Sequence, residues 1–295
     1  MEVVWVLENV IRDKSFYNKL RVLLLVASVS LWKKYHPSHK AVFYGDDMSL
    51  DMIRNLQIED LWDEARLLSY PEKIDRKIFW SAPKTKIISQ TEIPILLVDH
   101  DFLIFKNIDE HIGPELMFTY NEIANNWYPM EGDPFVQRLS TPIKYLSNLA
   151  ANVSLFYLPD PKFANDYGKQ VLKNHEEFTA MNHPGVTTNH MILSEQYMLR
   201  QWIDDMRVPY KSLSKNLWDC MLVNYSEYEI KNGIWDKQES LLSYKHFGVE
   251  EHRILEQQPG YSLTDTIDFL YRCIKASKLI DVDKLKERVN ESHPR

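Results

Sequence analysis

The sequence predicts an α/β fold, a sheet that is at least partly parallel and flanked by helices. Two observations predict it. Short apolar runs of strand length alternate with helical patterns through the N-terminal third of the chain: 3–7, then 15–35, then 41–44, then a helix, then 95–98. Polar residues also follow each strand run directly: Glu8 and Asn9, then Gly45 to Asp47, then Asp99 to Asp101. In open α/β sheets ligands bind beyond the carboxyl ends of the strands, so these three places are where a site is expected.

Residues 3–7 read as a buried strand. The helical pattern of 15–35 is stopped by Pro37. Its most apolar part, 22–32, contains Ser28 and Ser30 and is shorter than the ~20 residues a bilayer span needs, so it reads as a buried helix. A second short strand, 41–44, ends at the turn signature Gly45, Asp46, Asp47, and a helix resumes near Ser49 or Leu50. Residues 79–91 can form a helix carrying Lys84 and Lys86, which Pro94 separates from the strand 95–98. Residues 121–141 are polar and aromatic with Pro129, Gly132 and Pro134, and read as a long loop able to lie over a site.

A strand returns at 153–158. Pro159 and Pro161 end it, and a helix follows over 162–173. The loop 182–188 precedes a helical stretch over 189–203; strand candidates follow at 206–210 and 241–246, then helices at 264–277 and 282–289. There is no internal repeat and no low-complexity segment. The expected organisation is one catalytic domain over residues 1–260, with a helical extension over 261–295 packed on the same domain.

At 295 residues and 44% hydrophobic composition the chain can bury a full core. Its 35 basic residues against 42 acidic ones, a formal net charge of -7, give no footprint for gripping a phosphate backbone, so nucleic acid is disfavoured as a partner. Only Cys220 and Cys273 occur, which argues against a disulfide framework and fits a reducing compartment. Residues 1–9 carry no positive charge before their apolar residues and no small-residue cleavage signal, so the expectation is a cytoplasmic protein without an integral membrane segment. The Asn-x-Ser sequons at Asn152, Asn224 and Asn290 then read as chance matches.

Asp99 and Asp101 are the most informative pair. In extended chain, side chains at i and i+2 point to the same side, so both carboxylates could face one cation while His100 points away. Hard oxygen ligands in ones and twos, completed by water and substrate phosphates, suit Mg²⁺ or Mn²⁺ holding a diphosphate. Asp-x-Asp also occurs by chance in surface turns.

Taken in order, these features resemble the nucleotide-sugar-dependent glycosyltransferases of the GT-A fold, over roughly residues 3–252. The core of the resemblance is an apolar strand, a DxD motif at Asp99 to Asp101, and a second apolar strand at 102–105. The resemblance implies a Rossmann-type mixed, mostly parallel sheet, with Asp101 as the most direct metal ligand and Asp99 on the metal or the donor ribose or sugar. His100 has no implied role. It further implies that Lys84 contacts donor phosphate or sugar, the alternative being a solvated helix lysine. Asn152, Val153 and Ser154 resemble the Asn-Ala-Gly opening of a sugar-pocket strand, with Val and Ser in place of Ala and Gly. Glu195 and Gln196 resemble an acidic residue and glutamine placed near the anomeric carbon or the acceptor, and Glu195 is the general base if the enzyme inverts. His246, within Tyr244, Lys245, His246, Phe247 and Gly248, resembles a late histidine that adds a metal ligand in many retaining members. Tyr44 and Asp47, at the end of the second strand, complete the expected substrate-binding set.

The activity so implied is transfer of a sugar from a UDP- or GDP-sugar to an acceptor hydroxyl, with retention favoured by the late histidine. The acceptor stays open among a glycan, a protein and a small molecule, and so does the oligomeric state. If the enzyme inverts, Glu131 or Asp133 in the loop could also serve as base. Trp127 and Tyr128 could stack on a sugar or base, or pack under the loop. Other chemistries fit less well. His175, Glu176 and Glu177 are followed by Phe178 and Thr179, so the second histidine of a zinc protease motif is missing. No Gly-rich phosphate loop is present among the eight glycines. A metal-dependent nucleotidyltransferase remains as another enzymatic class, and a catalytically degenerate nucleotide-sugar or glycan-binding module as the non-enzymatic one.

Overall fold

The computed structural model describes residues 1–8, 19–124, 128–129, 131–213, 217–219, 244–246 and 263–292. In chain order the elements are β1 (Glu2–Leu7), α1 (Lys19–Tyr35), β2 (Lys40–Gly45), α2 (Asp47–Asn55), β3 (Glu64–Leu67), α3 (Ala82–Ile88), β4 (Ile95–Val98), β5 (Phe102–Ile104), β6 (Leu116–Ile123), β7 (Leu149–Leu158), α4 (Pro161–Ala180), α5 (Thr188–Ile192), a π-helical turn (Leu193–Tyr197), α6 (Met198–Met206), β8 (Tyr210–Ser212), β9 (Leu217–Asp219), β10 (Tyr244–His246), α7 (Leu263–Ser277) and α8 (Val282–Ser292). The chain divides into two compact units. One, here the N-terminal unit, comprises Val3–Leu67, Val98–Glu110 and Leu222–Arg295; the other, the central unit, comprises Met1–Glu2, Leu68–Leu97 and His111–Met221.

The strand order is β3-β2-β1 in the N-terminal unit and β4-β7-β6-β8 in the central unit, where β9 also pairs with β6. β2 runs parallel to β3, and β6 runs parallel to β8 and β9 but antiparallel to β7. The expected α/β fold, a mixed and mostly parallel sheet flanked by helices, is what the chain forms. A separate antiparallel pair joins β5 and β10.

In the N-terminal unit, β1 buries Val3, Val4 and Trp5 completely, and α1 is buried without a break over residues 22–32. A helix covered on all sides has no need of a polar face. Its two serines lie within that buried run, and Ser28 links strand to turn. Trp5 Nε1 donates to its Oγ at 3.0 Å, and the Oγ donates to the Phe102 carbonyl at 2.8 Å. Pro37 stops α1 as expected. The neighbouring His36 accepts the Ile108 N–H on Nε2 at 2.9 Å, so its Nδ1 carries the proton and faces the Trp32 carbonyl at 3.3 Å. Asn107 Nδ2 donates to the Tyr35 carbonyl at 2.9 Å, satisfying another group at the end of α1. The C-terminal helices belong to this unit: α7 packs on α1, Lys19 Nζ donates to Asn290 Oδ1 at 2.8 Å, and Arg288 Nη1 donates to the Leu56 carbonyl at 3.1 Å.

In the central unit, Phe79, Tyr128, Phe178, Leu193 and Tyr197 share one core. β7 is buried along nearly its whole length. The β6–β7 register shifts between Phe118 and Tyr120, and Thr119 mends the ladder by accepting the Leu155 N–H on its hydroxyl at 2.8 Å. α4 starts at an Asp160 cap with Pro161 in its first turn, where a missing N–H costs nothing.

Several boundaries differ from expectation. α3 is shorter than 79–91 because Pro83 is a first-turn residue, which sets the start at Ala82. α4 continues past residue 173 because Asn174, His175 and Phe178 extend its buried stripe although two of the three are polar. The helical stretch after residue 188 runs to Met206, where Arg207 at φ 56° ends it, so the expected strand at 206–210 is instead β8. The loop expected over 121–141 begins later, since Asn121, Glu122 and Ile123 close β6. β3, β6 and β9 had no counterpart among the strands expected from the sequence. Of the strand candidate 241–246, only β10 lies within the described residues.

Candidate active site

β4 ends where expected, and Asp99, in the N-terminal unit, follows it. The triplet is not extended: the Phe102 N–H donates to the Asp99 carbonyl at 3.0 Å, closing a four-residue turn from Asp99 to Phe102. The strand argument that set both carboxylates on one side therefore does not apply. The turn nevertheless holds the two carboxylates close in sequence, Asp101 buried at 6% exposure and Asp99 half-buried. Ser28 anchors the exit of this turn through the Phe102 carbonyl.

β10 pairs β5 with His246 opposite Phe102, so the backbone of His246 lies one ladder position from that of Asp101. Two carboxylates suit Mn²⁺ or Mg²⁺, and an imidazole beside them is compatible with Mn²⁺, so the residues fit such an ion by their chemistry. Among the described residues no three His, Cys, Asp or Glu side chains converge, and the side chain of His246 is not among those described. Asn9, Trp127, Phe247 and Gly248 also lie outside the described residues.

Tyr44 stands at the end of β2, where its hydroxyl accepts from Arg66 Nη1 at 2.6 Å. Arg66 in turn grips Glu64 with two bonds, Nε to Oε1 at 2.6 Å and Nη2 to Oε2 at 2.7 Å. These bonds to Arg66, with a further one from Lys40, hold the Glu64 carboxyl down at about 2. Asp47 is exposed in the first turn of α2, while its neighbour Asp46 serves as the cap, accepting the Ser49 N–H at 2.9 Å.

In the central unit Lys84 meets Glu195, and Asn152 and Gln196 are linked through other side chains. Lys84 is not a solvated helix lysine: it is buried on α3 with its Nζ 3.3 Å from Glu195 Oε1, and both side chains are largely covered. Glu195 and Gln196 occupy the π-helical turn between α5 and α6. Such widened turns recur at functional sites because they re-aim side chains. Tyr167 on α4 braces this one by donating its hydroxyl to the Glu195 carbonyl at 2.5 Å; burial raises that hydroxyl's pKa well above its ordinary value, so it remains a donor.

Asn152, buried on β7, donates from Nδ2 to Glu122 Oε1 at 2.6 Å and accepts the Ser154 N–H on Oδ1 at 3.1 Å. Exchanging its amide atoms would set like against like at both contacts, so its orientation is determined. The Tyr128 hydroxyl lies 2.9 Å from Glu122 Oε2 and 2.9 Å from Gln196 Oε1. One chain of contacts thus runs Asn152, Glu122, Tyr128, Gln196, and Gln196 is next in sequence to Glu195. The Tyr128 ring is 3% exposed and sits in the core near Tyr197, so it packs under the loop and does not stack on a ligand. Asp133 caps the loop's 3₁₀ turn, accepting the N–H groups of Phe135 and Val136, while Glu131 is exposed.

Glu122 is the site residue that sequence reasoning missed. The signal was the strand-like run Leu116 to Tyr120, rich in aromatic and apolar residues; reading it as a strand places Glu122 on the same face as Tyr120, which pairs Asn152.

No family model and no curated protein matches the chain. Solved structures similar to it include the glycosyltransferase GlyE of Streptococcus pneumoniae TIGR4, at 14% identity and TM-score 0.48 over 99% of this chain and 64% of that one. The apo form of GlyE gives 12% identity and TM-score 0.46 over 99% of this chain and 63% of that one. The galactosyltransferase LgtC, in complex with donor and acceptor sugar analogs, gives 9% identity and TM-score 0.45 over 98% of this chain and all of that one. The chain spans less than two thirds of the length of the GlyE chains. Among the described residues no helix is long and apolar enough to cross a membrane.

Proposed function

We propose that this chain is a glycosyltransferase that moves a sugar from a nucleotide-diphosphate donor, a UDP- or GDP-sugar, to an acceptor hydroxyl. The observation that carries the reading is the convergence in the central unit. Lys84, Asn152 and the consecutive pair Glu195 and Gln196 were named from three stretches of sequence; Lys84 pairs with Glu195 on the π-helical turn, and Asn152 is linked to Gln196 on the same turn through Glu122 and Tyr128.

The roles follow from the groups. Asn152 and Gln196 are neutral amides able to both donate to and accept from sugar hydroxyls. The Lys84 ammonium offers a positive charge to an anionic donor group, with Glu195 as its partner in the described structure. A carboxylate so committed is poorly placed to wait as a base for the acceptor, which supports retention, in which the departing phosphate takes the acceptor's proton. In the N-terminal unit, Asp101, Asp99 and His246 are the ligands for Mn²⁺ or Mg²⁺. When bound, that ion offsets the negative charge that gathers on the leaving diphosphate.

The test is nucleotide release from a panel of UDP- and GDP-sugars with Mn²⁺, run beside thermal shifts with the same compounds. Release with one donor supports the transferase. Binding without release favours the degenerate module, and no shift with any nucleotide overturns the reading.

A further inference from the structure

The geometry points to Glu122 as a positioning residue that sets the direction of the hydrogen bonds made by Asn152, Tyr128 and Gln196. A carboxylate can only accept, so both partners must donate to it: Asn152 through Nδ2 at 2.6 Å and Tyr128 through its hydroxyl at 2.9 Å. The Tyr128 hydroxyl has one proton. Once that proton is given to Glu122, the tyrosine oxygen can only accept from Gln196, 2.9 Å away. With Gln196 Oε1 facing the phenol, two acceptors would compete for its one proton; exchanging the amide oxygen and nitrogen of Gln196 removes that conflict, and Nε2 then donates to Tyr128. Two side-chain amides, on β7 and on the π-helical turn, take their orientation from one carboxylate on β6. The charge-assisted bond to Asn152 is short, as expected of the stronger link.

A neutral, equally sized replacement would reverse the relay. In Glu122→Gln the new amide has one acceptor and one donor group. If its oxygen keeps the bond from Asn152, its nitrogen faces Tyr128, which must then accept there and donate onward to Gln196. The Gln196 amide turns over while the size of every side chain is kept. Tyr128→Phe removes the relay to Gln196 but leaves the bond between Glu122 and Asn152.

The experiment reads the side-chain amide ¹H–¹⁵N resonances of the full-length chain without ligand, with those of Asn152 and Gln196 assigned by their loss in Asn152→Asp and Gln196→Glu. The expected result is that Glu122→Gln shifts both amides, whereas Tyr128→Phe shifts Gln196 and leaves Asn152 in place. A merely structural Glu122 would lower thermal stability without this selective pattern. An unmoved Gln196 resonance in both variants, or an unmoved Asn152 resonance in Glu122→Gln, overturns the inference. Its kinetic consequence rests on the transferase reading: with a sugar nucleotide that the wild type turns over, Glu122→Gln lowers kcat at least tenfold and changes the donor KM less. A kcat within twofold of the wild type overturns that consequence. A wild type inert with every donor defeats the transferase reading instead, and the amide resonances still decide the role of Glu122.

Discussion

Replacing Gly168 by alanine tests how Lys84 and Glu195 are held together. A β-carbon at Gly168 would lie 2.6 Å from the Ser89 nitrogen, 2.8 Å from its Cα and 3.0 Å from its Cβ. The two closest atoms are backbone, and Ser89 caps the end of α3, so relief requires α3 and α4 to separate. Overpacking of this kind costs about 1–3 kcal/mol. Alanine's better helix propensity returns roughly 0.5–1 kcal/mol. At the middle of these ranges the net loss is about 1 kcal/mol, which for a chain of this size lowers Tm by about 2–4 °C. Differential scanning fluorimetry reads this against Gly132→Ala, whose β-carbon would meet nothing within 4 Å and whose Tm should stay close to that of the wild type. α3 carries Lys84, and α4 carries the Tyr167 that braces Glu195, so a crystal structure of Gly168→Ala should also show a longer ion pair. A Tm equal to or above the wild type would refute the packing argument.

Removing one partner of the Lys84 and Glu195 pair leaves a buried charge, so Lys84→Met and Glu195→Gln should each cost about 3–5 kcal/mol, and the double variant should recover most of that loss in urea unfolding; additive losses would mean the pair is not coupled. Burial pushes the His175 imidazole down to about 3 from its ordinary 6.5. The unfolded chain takes up that proton below pH ~6.5 while the folded one does not, so stability falls by about 1.4 kcal/mol per pH unit as pH drops from there toward 3. His175→Phe, beside Phe79 at 4.5 Å, should flatten this decline between pH 6.5 and 4.5, and an unchanged slope in urea midpoints would exclude His175 as its source. Asp101→Asn should abolish the thermal shift given by a UDP- or GDP-sugar with Mn²⁺ while leaving the ligand-free Tm nearly unchanged; retained metal-dependent turnover would remove Asp101 from the ligand set.

The alternation of strand and helix was legible because apolar runs such as 3–7, 22–32 and 95–98 are almost uninterrupted, Ser28 and Ser30 being the only polar residues within them. β3 was not legible. Its four residues, Glu64, Ala65, Arg66 and Leu67, alternate in burial but carry two charges, and Glu64 and Arg66 satisfy each other by pairing. α4 outran its expected end for a related reason: Asn174 and His175 are polar by type yet buried, the latter against Phe79. The Asp99 to Asp101 stretch was found by residue type, while its turn geometry depends on a backbone bond that no side-chain pattern announces.

Lys84, Asn152, Glu195 and Gln196 were named one by one, through the resemblance of the short stretches that carry them. Their couplings could not be named in this way, because these depend on a linking residue whose own type says little. Glu122 looks like any strand-end carboxylate until β6 and β7 pair with Tyr120 opposite Asn152, and Tyr128 looks like a stacking aromatic until its ring is buried. Only then does the single proton of the Tyr128 hydroxyl become the constraint that orients Gln196. Glu195 and Gln196 are consecutive, yet they face different partners, an ammonium on α3 and a phenol on the loop, because they share a widened turn that Tyr167 holds from α4. Any change that restores a regular helix across Leu193–Tyr197 must remove one residue from the turn, shifting the angular position of Glu195 or Gln196 by about 100°. It would therefore break either the ion pair or the amide relay, and deletion of Ser194 should show which of the two the chain gives up.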